Sequence, residues 1–427
     1  YGINDKRWPL HLNSSRICSS HAYGGFSTVY SGSLLSPSPK DLSAWPSSSI
    51  PTHVDYDAVA QHLLVLQQED ELSSSFPLAG QVKISCEAPS HKNTLVGTSR
   101  VAFNRNHHSS LPFNSSLEFD SWSKQKKIAY HQNIFVSSFS QVGNSVYVEY
   151  QVGSLLKSSV FDYILIGAGC VNTTAIVDRS LCGIGQHSYQ IACAPILLQL
   201  HLQVSRSYLF SLKNNPVMSV NKNLCSAFLE HYMTDFGSWS HTQLGRINPT
   251  AYAAIEKKIP SLFFKIFRAL TSWFVFSITV FHSDLGPKAE LTVESSISDH
   301  GNSYSKVSIH EPETSCPSRL KLSIVFAVLR KMKVLRLLPI PFGSWIADKI
   351  RANRLGGWHF GGTLPMVASP THPNNVHDDG SVHGARRVFI IDAAAFPSIP
   401  GSSVAYLSMA NAYRIARQLY ARQQGIQ

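Results

Sequence analysis

A histidine between two pairs of glycines has the clearest chemical potential in this sequence. His359 lies in the stretch Gly356–Thr363 (GGWHFGGT). Imidazole is the side chain whose ordinary pKa lies nearest neutrality, so it suits general base catalysis. Glycines on both sides let other backbone segments approach closely. The chain has 19 histidines, most of which are expected to be structural or exposed, and the flanking glycines single out His359 as the candidate base.

A strand, a turn and a helix are predicted shortly after this histidine. Val388–Ile391 is an apolar run of the length of a buried strand, and Pro400 and Gly401 indicate a turn. An amphipathic helix is predicted next, with Ser402 or Ser403 as its N-cap. Such a helix start directs free N–H groups and a partial positive charge at one point, which suits an anionic or electron-rich group. The predicted apolar stripe of the helix is Ala405, Met409, Ala412, Ala416 and Leu419.

A second glycine turn occurs earlier in the chain. Phe161–Gly169 (FDYILIGAG) predicts a buried strand that ends in this turn. The spacing Gly167-x-Gly169-x-x-Asn172 is an incomplete dinucleotide fingerprint, because asparagine replaces the third glycine. No acidic residue stands about 20 positions further on, where the complete motif places one. As a primary nucleotide-binding motif the stretch is weak.

The order of several motifs resembles the glucose–methanol–choline (GMC) flavoprotein oxidoreductases. Trp358–Met366, Val382–Gly384, Val388–Asp392 and Phe396–Gly401 occur in the order seen near the C-terminus of that family. Asp41–Pro46 is similar to its D-x-x-x-WP stretch. The resemblance is specific over 357–407, fair over 23–46 and 161–180, and thin between them.

The resemblance implies a flavin cofactor, FAD, and a set of residues around it. Gly24-Gly25 is similar to the segment that runs past the flavin ring, although a surface turn also explains this pair. Asp392-Ala393 would lie next to the flavin diphosphate or ribityl region, although Asp392 also suits a strand-end cap. His359 corresponds to the active-site histidine of the family. The implied cofactor-binding residues are Gly24, Gly25, Ser27, Gly167, Ala168, Gly169, Asp392, Ala393, Gly401 and Ser402.

The second catalytic position of the family, usually His or Asn, corresponds here to a serine. The register after Pro400 and Gly401 places Ser403 there, and a slip of one residue gives Ser402. A serine hydroxyl forms hydrogen bonds but is a poor base. Three outcomes follow: His359 works alone, another histidine assists it, or activity is lost.

The resemblance also implies a fold of mixed α+β and α/β class with two domains. A discontinuous FAD-binding domain is expected over 1–50, 128–193 and 345–427. A substrate domain with an antiparallel sheet and helices is expected over 194–344, and 51–127 is expected to connect the two. The family's first βαβ unit has no counterpart within the sequence and is expected to lie upstream of Tyr1.

Local patterns predict further elements. A helix is predicted at Asp57–Gln68, a moderate helical pattern covers Arg319–Leu338, and Asn104–Lys127 is predicted to be a loop. The turn Ser283–Pro287 is expected to link two antiparallel strands. The predicted strands are Ile128–Phe139, Ser145–Val152, Phe274–His282, Ala289–Glu294 and Lys306–His310.

Composition restricts the function classes. The hydrophobic content of 44% and charged content of 15% indicate a globular chain. The net charge of +11 comes from scattered residues without a nucleic-acid-binding motif, so no nucleic-acid partner is expected. The seven cysteines are dispersed without CxxC, which argues against a disulfide framework and against a zinc site and favours a reducing compartment, the cytoplasm. Ile259–Phe281 has the length of a membrane span but contains Lys265 and Arg268, so a short helix running into a core strand is favoured over a membrane-surface helix.

Two main functional hypotheses result, and a third, a basic nucleic-acid binder, rests on charge alone. The first is an FAD-dependent oxidoreductase that oxidises the CH–OH group of an alcohol, sugar or polyol, with His359 as the base and an unknown electron acceptor. The second is a truncated, non-catalytic remnant of the same fold that works as a binding module or is inactive.

Overall fold

The computed structural model describes residues 10–13, 23–25, 34, 36–64, 94–98, 115–203, 227–233, 238–245, 260–261, 263–265, 274–286, 288–297, 303–310, 337–339, 359–373 and 375–425. Four α-helices are defined in these parts: α1 (His53–Leu64), α2 (Ser115–Lys124), α3 (Cys170–Leu181) and α4 (Val404–Gln423). The strands up to the middle of the chain are β1 (Leu10–Asn13), β2 (Thr94–Thr98), β3 (Ile134–Val142), β4 (Ser145–Val152), β5 (Leu155–Phe161), β6 (Ile164–Ile166), β7 (Gly185–Cys193), β8 (Ile196–Gln203), β9 (Ala227–Met233) and β10 (Ser238–Gly245). They are followed by β11 (Phe274–Phe281), β12 (Lys288–Ile297), β13 (Ser303–His310), β14 (Leu337–Pro339), β15 (Phe360–Gly361), β16 (Met366–Val367), β17 (Val376–His377), β18 (Ser381–Val382) and β19 (Ala385–Ile390).

The strands form four sheets. Their orders are β1-β13-β12-β7-β15, β14-β8-β11-β10-β9-β2, β16-β17-β18-β19-β6 and β3-β4-β5. Most neighbours are antiparallel, and the described parallel pairs are β1 with β13, β16 with β17, and β19 with β6. This mixture of helices and sheets confirms the predicted fold class. The predicted domain limits stay a prediction; β7 and β12, which lie on opposite sides of the limit at residue 194, pair in one sheet.

One hydrophobic core joins the third sheet to helices α1, α3 and α4. Val388 and Ile390 of β19 are fully buried, which confirms the predicted buried strand. Helix α4 packs on α1, where the rings of Tyr406 and Tyr56 lie 5.1 Å apart. The core therefore fixes strand β19 and helix α4 against strand β6 and helix α3.

The face that α4 buries differs from the predicted stripe. Leu419 is buried as predicted, but Ala416 is exposed. The buried face instead includes Asn411 and Arg414, and Arg414 is 2% exposed. This burial is possible because the Arg414 guanidinium donates to Asn411 Oδ1 at 3.0 Å and to the Ser48 carbonyl at 3.3 Å. A pattern that counts only apolar residues misses such a face.

Several predicted elements are confirmed with shifted ends. The helix predicted at Asp57–Gln68 is α1, which begins four residues earlier at His53 and whose described part ends at Leu64. The hairpin of β3 and β4 is confirmed, with β3 beginning at Ile134. The strands β11, β12 and β13 are also confirmed.

Three predictions are wrong. The predicted loop at Asn104–Lys127 contains helix α2. The strand predicted from Phe161 is only Ile164–Ile166, because Phe161 ends the preceding strand β5 on an exposed edge. The turn after β11 does not link an antiparallel pair, since β11 pairs with β8 and β10 whereas β12 pairs with β7 and β13.

Two further predictions fall partly outside the described residues. Of the helical pattern at Arg319–Leu338, only Leu337 and Leu338 are described, and they lie in strand β14. Ile259–Phe281 contains a described helical turn at 263–265 and then strand β11, as the favoured interpretation predicted. Among the helices described, none has the length and apolarity needed to cross a membrane.

Candidate functional site

The two predicted glycine and aspartate motifs meet at the ends of parallel strands. Strand β6 pairs with β19 in register Ile166 to Ile390, and Ile391 N–H donates to the Ile166 carbonyl at 3.0 Å. The turn Gly167–Gly169 follows β6 and Asp392 follows β19, so both lie at the carboxyl ends of neighbouring strands. Ligands of open α/β sheets bind at this edge.

The Asp392 carboxylate joins these two turns. It accepts hydrogen bonds from Gly169 N–H at 2.8 Å, Thr173 Oγ1 at 2.5 Å and Ala394 N–H at 2.9 Å. Burial raises the pKa of Asp392, and the hydrogen bond from Thr173 acts in the opposite direction. The carboxylate also lies at the N-terminus of α3, where negative charge is favourable. Asp392 is therefore a cap that links two elements, in keeping with the strand-end interpretation.

The start of α3 leaves room for a bound group. Gly169 is the N-cap of α3 and has a φ of 84°, a conformation that favours glycine. A Cβ added to Gly169 would meet no atom of the described part of the chain within 4 Å, so the backbone borders open space there. The first N–H groups of a helix lack partners within it and can bind anionic oxygens. Open backbone beside a helix start fits the diphosphate of a dinucleotide cofactor.

Gly361 and Gly362, which follow His359, bring the backbone of this segment against the Asp392-Ala393 turn. A Cβ added to Gly361 would lie 2.2 Å from the Ala393 carbonyl oxygen, so only glycine fits. Gly362 N–H donates to that same oxygen at 2.9 Å. On the other side, the His359 carbonyl accepts from Ala194 N–H at 2.9 Å. The close approach predicted for these glycines is confirmed, and it fixes His359 beside the Asp392-Ala393 turn.

The imidazole of His359 is kept neutral. Its Nδ1 is buried and, within the described residues, has no hydrogen-bond partner. Burial lowers the pKa of His359 to about 4. At neutral pH the ring therefore has a free nitrogen lone pair and can accept a proton.

A second histidine, which the sequence did not single out, lies near His359. His241 is 2% exposed and stands on β10 opposite Val280 of β11. Val280 in turn stands opposite Ile196 of β8, two residues after the Ala194 that binds the His359 backbone. Burial and then the charge of His359 lower the pKa of His241 to about 3, so the two rings are close enough to interact electrostatically.

No local signal could have found this partner. His241 stands in an ordinary strand sequence, Ser-His-Thr, and only the pairing of β8, β10 and β11 brings it towards His359.

The turn before α4 is fixed by two separate parts of the chain. Trp45 Nε1 donates to Ser398 Oγ at 3.2 Å, which joins the D-x-x-x-WP stretch to the C-terminal motif. Ile399 N–H donates to Ser283 Oγ at 3.0 Å. The predicted N-cap is confirmed at Ser403, whose side chain accepts from Tyr406 N–H at 3.4 Å.

The serines of this turn have different surroundings. Ser403 is 6% exposed and uses its hydroxyl oxygen in the helix cap. Ser402 is 2% exposed, and its Oγ has no hydrogen-bond partner within the described residues. Gly401 beside it is buried. The roles predicted for these three residues stay predictions.

The predicted glycine pair near the N-terminus forms a turn that contacts helix α2. Gly24 and Gly25 have φ values of 81° and 56°, which favour glycine and indicate a turn. The Gly24 carbonyl accepts from Ser115 Oγ at 3.2 Å, and the neighbouring Tyr23 hydroxyl donates to Asp120 at 2.9 Å. Ser27 lies outside the described residues. The role of this segment beside a flavin stays a prediction.

Comparison with known proteins agrees with the C-terminal motifs. Residues 340–412 match the family described as GMC oxidoreductase, in its C-terminal domain. No curated protein sequence matches this chain. The match lies in the part of the chain where the motifs were most specific, and it agrees with the resemblance inferred from them.

Two solved structures show a distant likeness. Pyridoxine 4-oxidase from Mesorbium loti aligns with a TM-score of 0.44 and 14% identity over 76% of this chain, which spans 64% of that protein. An FAD-dependent oxidoreductase from Chaetomium thermophilum, solved with a small-molecule fragment, aligns with a TM-score of 0.47 and 14% identity, covering 91% of this chain and 78% of that protein. These TM-scores are too low to support statements about the site.

Proposed function

We propose that this protein is an FAD-dependent oxidoreductase that oxidises a CH–OH group of a small alcohol, sugar or polyol, with His359 as the base. The observation that carries the proposal is the position of His359. Its backbone is fixed against Ala393 through Gly361, and its ring is neutral and has an unbonded buried nitrogen. The family match over residues 340–412 supports the oxidoreductase class.

The residues at the β6–β19 edge would hold the cofactor. Gly167–Gly169, the start of α3 and the Asp392-Ala393 turn border the open space beside Gly169. FAD, when bound, supplies a hydride acceptor. The partial positive charge at the start of α3 would offset the charge of the diphosphate.

His359 would remove the hydroxyl proton of the substrate at a ring nitrogen. Its pKa of about 4 means that the ring is neutral, and so able to act, throughout the neutral range. His241 would assist as a hydrogen-bonding partner of the substrate hydroxyl, in place of the serine at the family's second catalytic position. The engagement of Ser403 as the cap of α4 supports this assignment.

The odd and dispersed cysteines support a cytoplasmic setting as part of the proposal.

The first experiment is an absorbance scan of the purified chain with and without added FAD. Flavin bands in stoichiometric amount are expected, followed by bleaching when an oxidisable alcohol from a screen is added without air. A colourless protein that ignores added FAD would favour the alternative, a non-catalytic remnant of the same fold.

The second experiment separates binding from chemistry. His359→Ala is expected to retain flavin and to reduce it about 10²- to 10⁴-fold more slowly, the usual contribution of a general base. His131→Ala, at an exposed histidine, is the matched control and should leave the rate unchanged. Flavin reduction at the wild-type rate in His359→Ala would exclude this residue as the base.

The pH profile gives an independent check. Because protonated His359 cannot accept a proton and its pKa is about 4, the reduction rate should rise as the pH increases through about 4 and then level off.

The assisting role of His241 has its own test. His241→Ala should lower the rate about 10-fold, the value of one lost hydrogen bond, and His241→Asn should recover part of it because the amide can donate. Equal rates for His241→Asn and His241→Ala would argue for a purely structural role.

A further inference from the structure

Three side chains with metal-binding atoms meet at the C-terminal end of α3, at the opposite end of that helix from Asp392. They are Asp178, Cys182 and His187, and one ligand atom of each lies within 4.8 Å of the others. Asp178 and Cys182 stand four residues apart, so the last turn of the helix places them on one face. His187 comes from β7, the strand that follows the helix.

The Asp178 carboxylate and the His187 imidazole are in direct contact. Their Oδ1 and Nδ1 atoms lie 3.0 Å apart, and the Asp178 side chain is fully buried. The Nδ1 of His187 is also buried, yet within the described residues it makes no aligned hydrogen bond. Two ligands of a tetrahedral zinc ion, each at about 2.0 Å from it, lie about 3.3 Å apart. The observed separation is close to that value.

We propose that Asp178, Cys182 and His187 bind a zinc ion, with a fourth position left for water. A thiolate, an imidazole and a carboxylate together favour zinc over magnesium or calcium, which prefer all-oxygen sites. Two negative ligands balance the charge of the ion, which makes the buried site neutral overall. The side chain of His187 is 33% exposed, so the site has a route for metal entry.

Two hydroxyl groups around Asp178 support its role as a ligand. The Tyr189 hydroxyl donates to Asp178 Oδ1, and Ser295 Oγ lies 3.5 Å from Asp178 Oδ2. Ligating carboxylates in metal sites are held by such hydrogen bonds. Ser295 belongs to β12, so the ion would fasten the end of α3 to both β7 and β12.

The distance from the cofactor edge indicates a structural role. Helix α3 has 12 residues, and at 1.5 Å per residue it separates the two ends by about 18 Å. The proposed ion is therefore too far from Asp392 to take part in the oxidation. It would stabilise the helix whose other end borders the cofactor.

The test measures metal in the purified full chain after washing with a chelator and adding zinc. The wild type is expected to retain one more zinc ion per chain than Cys182→Ser or His187→Ala, whose affinity should be at least about 10- to 100-fold lower. Cys193→Ser and His131→Ala, which change the same residue types outside the cluster, are the controls and should match the wild type.

Cobalt replacement identifies the ligands independently of the variants' stability. Cobalt in the wild type should show a thiolate charge-transfer band and the intense visible bands of tetrahedral coordination, and the thiolate band should be absent in Cys182→Ser. A wild type that retains no metal, an unchanged zinc content in both cluster variants, or a cobalt spectrum without the thiolate band would each overturn the proposal.

Discussion

The two ends of helix α3 each hold a carboxylate, but with different partners and burial, since Asp178 is fully buried and Asp392 is only partly buried. At the N-terminal end, Asp392 accepts from the backbone N–H groups of Gly169 and Ala394 and from one hydroxyl. In the last turn, Asp178 is surrounded by the hydroxyls of Tyr189 and Ser295 and by an imidazole. Burial raises the pKa of both carboxyl groups.

The two carboxylates differ in whether their partners can only donate a hydrogen bond or can also accept one. A backbone N–H can only donate. Both carboxylate oxygens of Asp392 must therefore remain hydrogen-bond acceptors, one for Gly169 N–H and the other for Ala394 N–H. Hydroxyls and imidazole can donate or accept, so Asp178 can change its protonation or its partner without leaving a donor unpaired. The helix dipole adds to the contrast, because negative charge is favourable at the start of a helix and unfavourable at its end. At the N-terminal end, the hydrogen bonds of Asp392 with Gly169 N–H, Ala394 N–H and Thr173 Oγ1 form a fixed contact, which we call the latch. The other end of the helix suits a cation.

The largest expected effect is the removal of the latch. Asp392→Ala leaves Gly169 N–H and Ala394 N–H without their partner, and water can replace it only in part, so the free energy of unfolding should fall by about 2 kcal/mol. Urea denaturation followed by circular dichroism measures the change. Asp162→Ala, at an exposed aspartate on the neighbouring strand connection, is the control and should stay within about 0.5 kcal/mol.

A loss below about 1 kcal/mol in Asp392→Ala would contradict the latch. If the proposed cofactor site is right, this variant should also retain less flavin than Asp162→Ala, because its substitution frees the turn that borders the site.

A smaller effect compares the two carboxylates directly. Asparagine keeps the shape of aspartate but has one acceptor oxygen, so Asp392→Asn turns a donor towards at least one backbone N–H and should lose about 1–2 kcal/mol. Asp178→Asn, measured without metal, should lose less, because the hydroxyls around it can reorient. The same denaturation experiment gives both values. Equal losses of free energy of unfolding in Asp392→Asn and Asp178→Asn would show that backbone and side-chain donors are equivalent partners for these carboxylates.

Each half of the latch was predictable from sequence because each half is local, but the contact itself, between residues 223 positions apart, was not predicted. A buried strand ending at Asp392 and a second strand ending at Gly169 were both visible as apolar runs followed by turn residues. The N-cap at Ser403 and the strand β19 were predictable for the same reason. The cap of Ser403 is formed with Tyr406, three residues away, and the motif resemblance supplied the order of the motifs.

Two of the features missed by sequence depend on distant partners, and a third depends on how the chain turns. His241 reaches His359 only through the pairing of three strands. Arg414 is buried because Ser48 and Asn411 satisfy it, and a polarity pattern assigns it to the surface. Cys182 and His187 stand only five residues apart, but they form no CxxC or similar motif, and the turn from α3 into β7 brings them together.

The smallest effect compares the hydroxyl groups at the two ends. Thr173 is fully buried and donates to Asp392 at 2.5 Å, so Thr173→Val should lower the free energy of unfolding by about 1 kcal/mol. Ser295→Ala should lower it by less than about 0.5 kcal/mol, because its hydroxyl lies 3.5 Å from Asp178, at the limit of a hydrogen bond. If Thr173 acts through the carboxylate, its effect should shrink when Thr173→Val is combined with Asp392→Asn, since the two residues share one contact. Strict additivity of the two substitutions would mean that the threonine contributes by packing alone, and that the latch consists of the backbone donors.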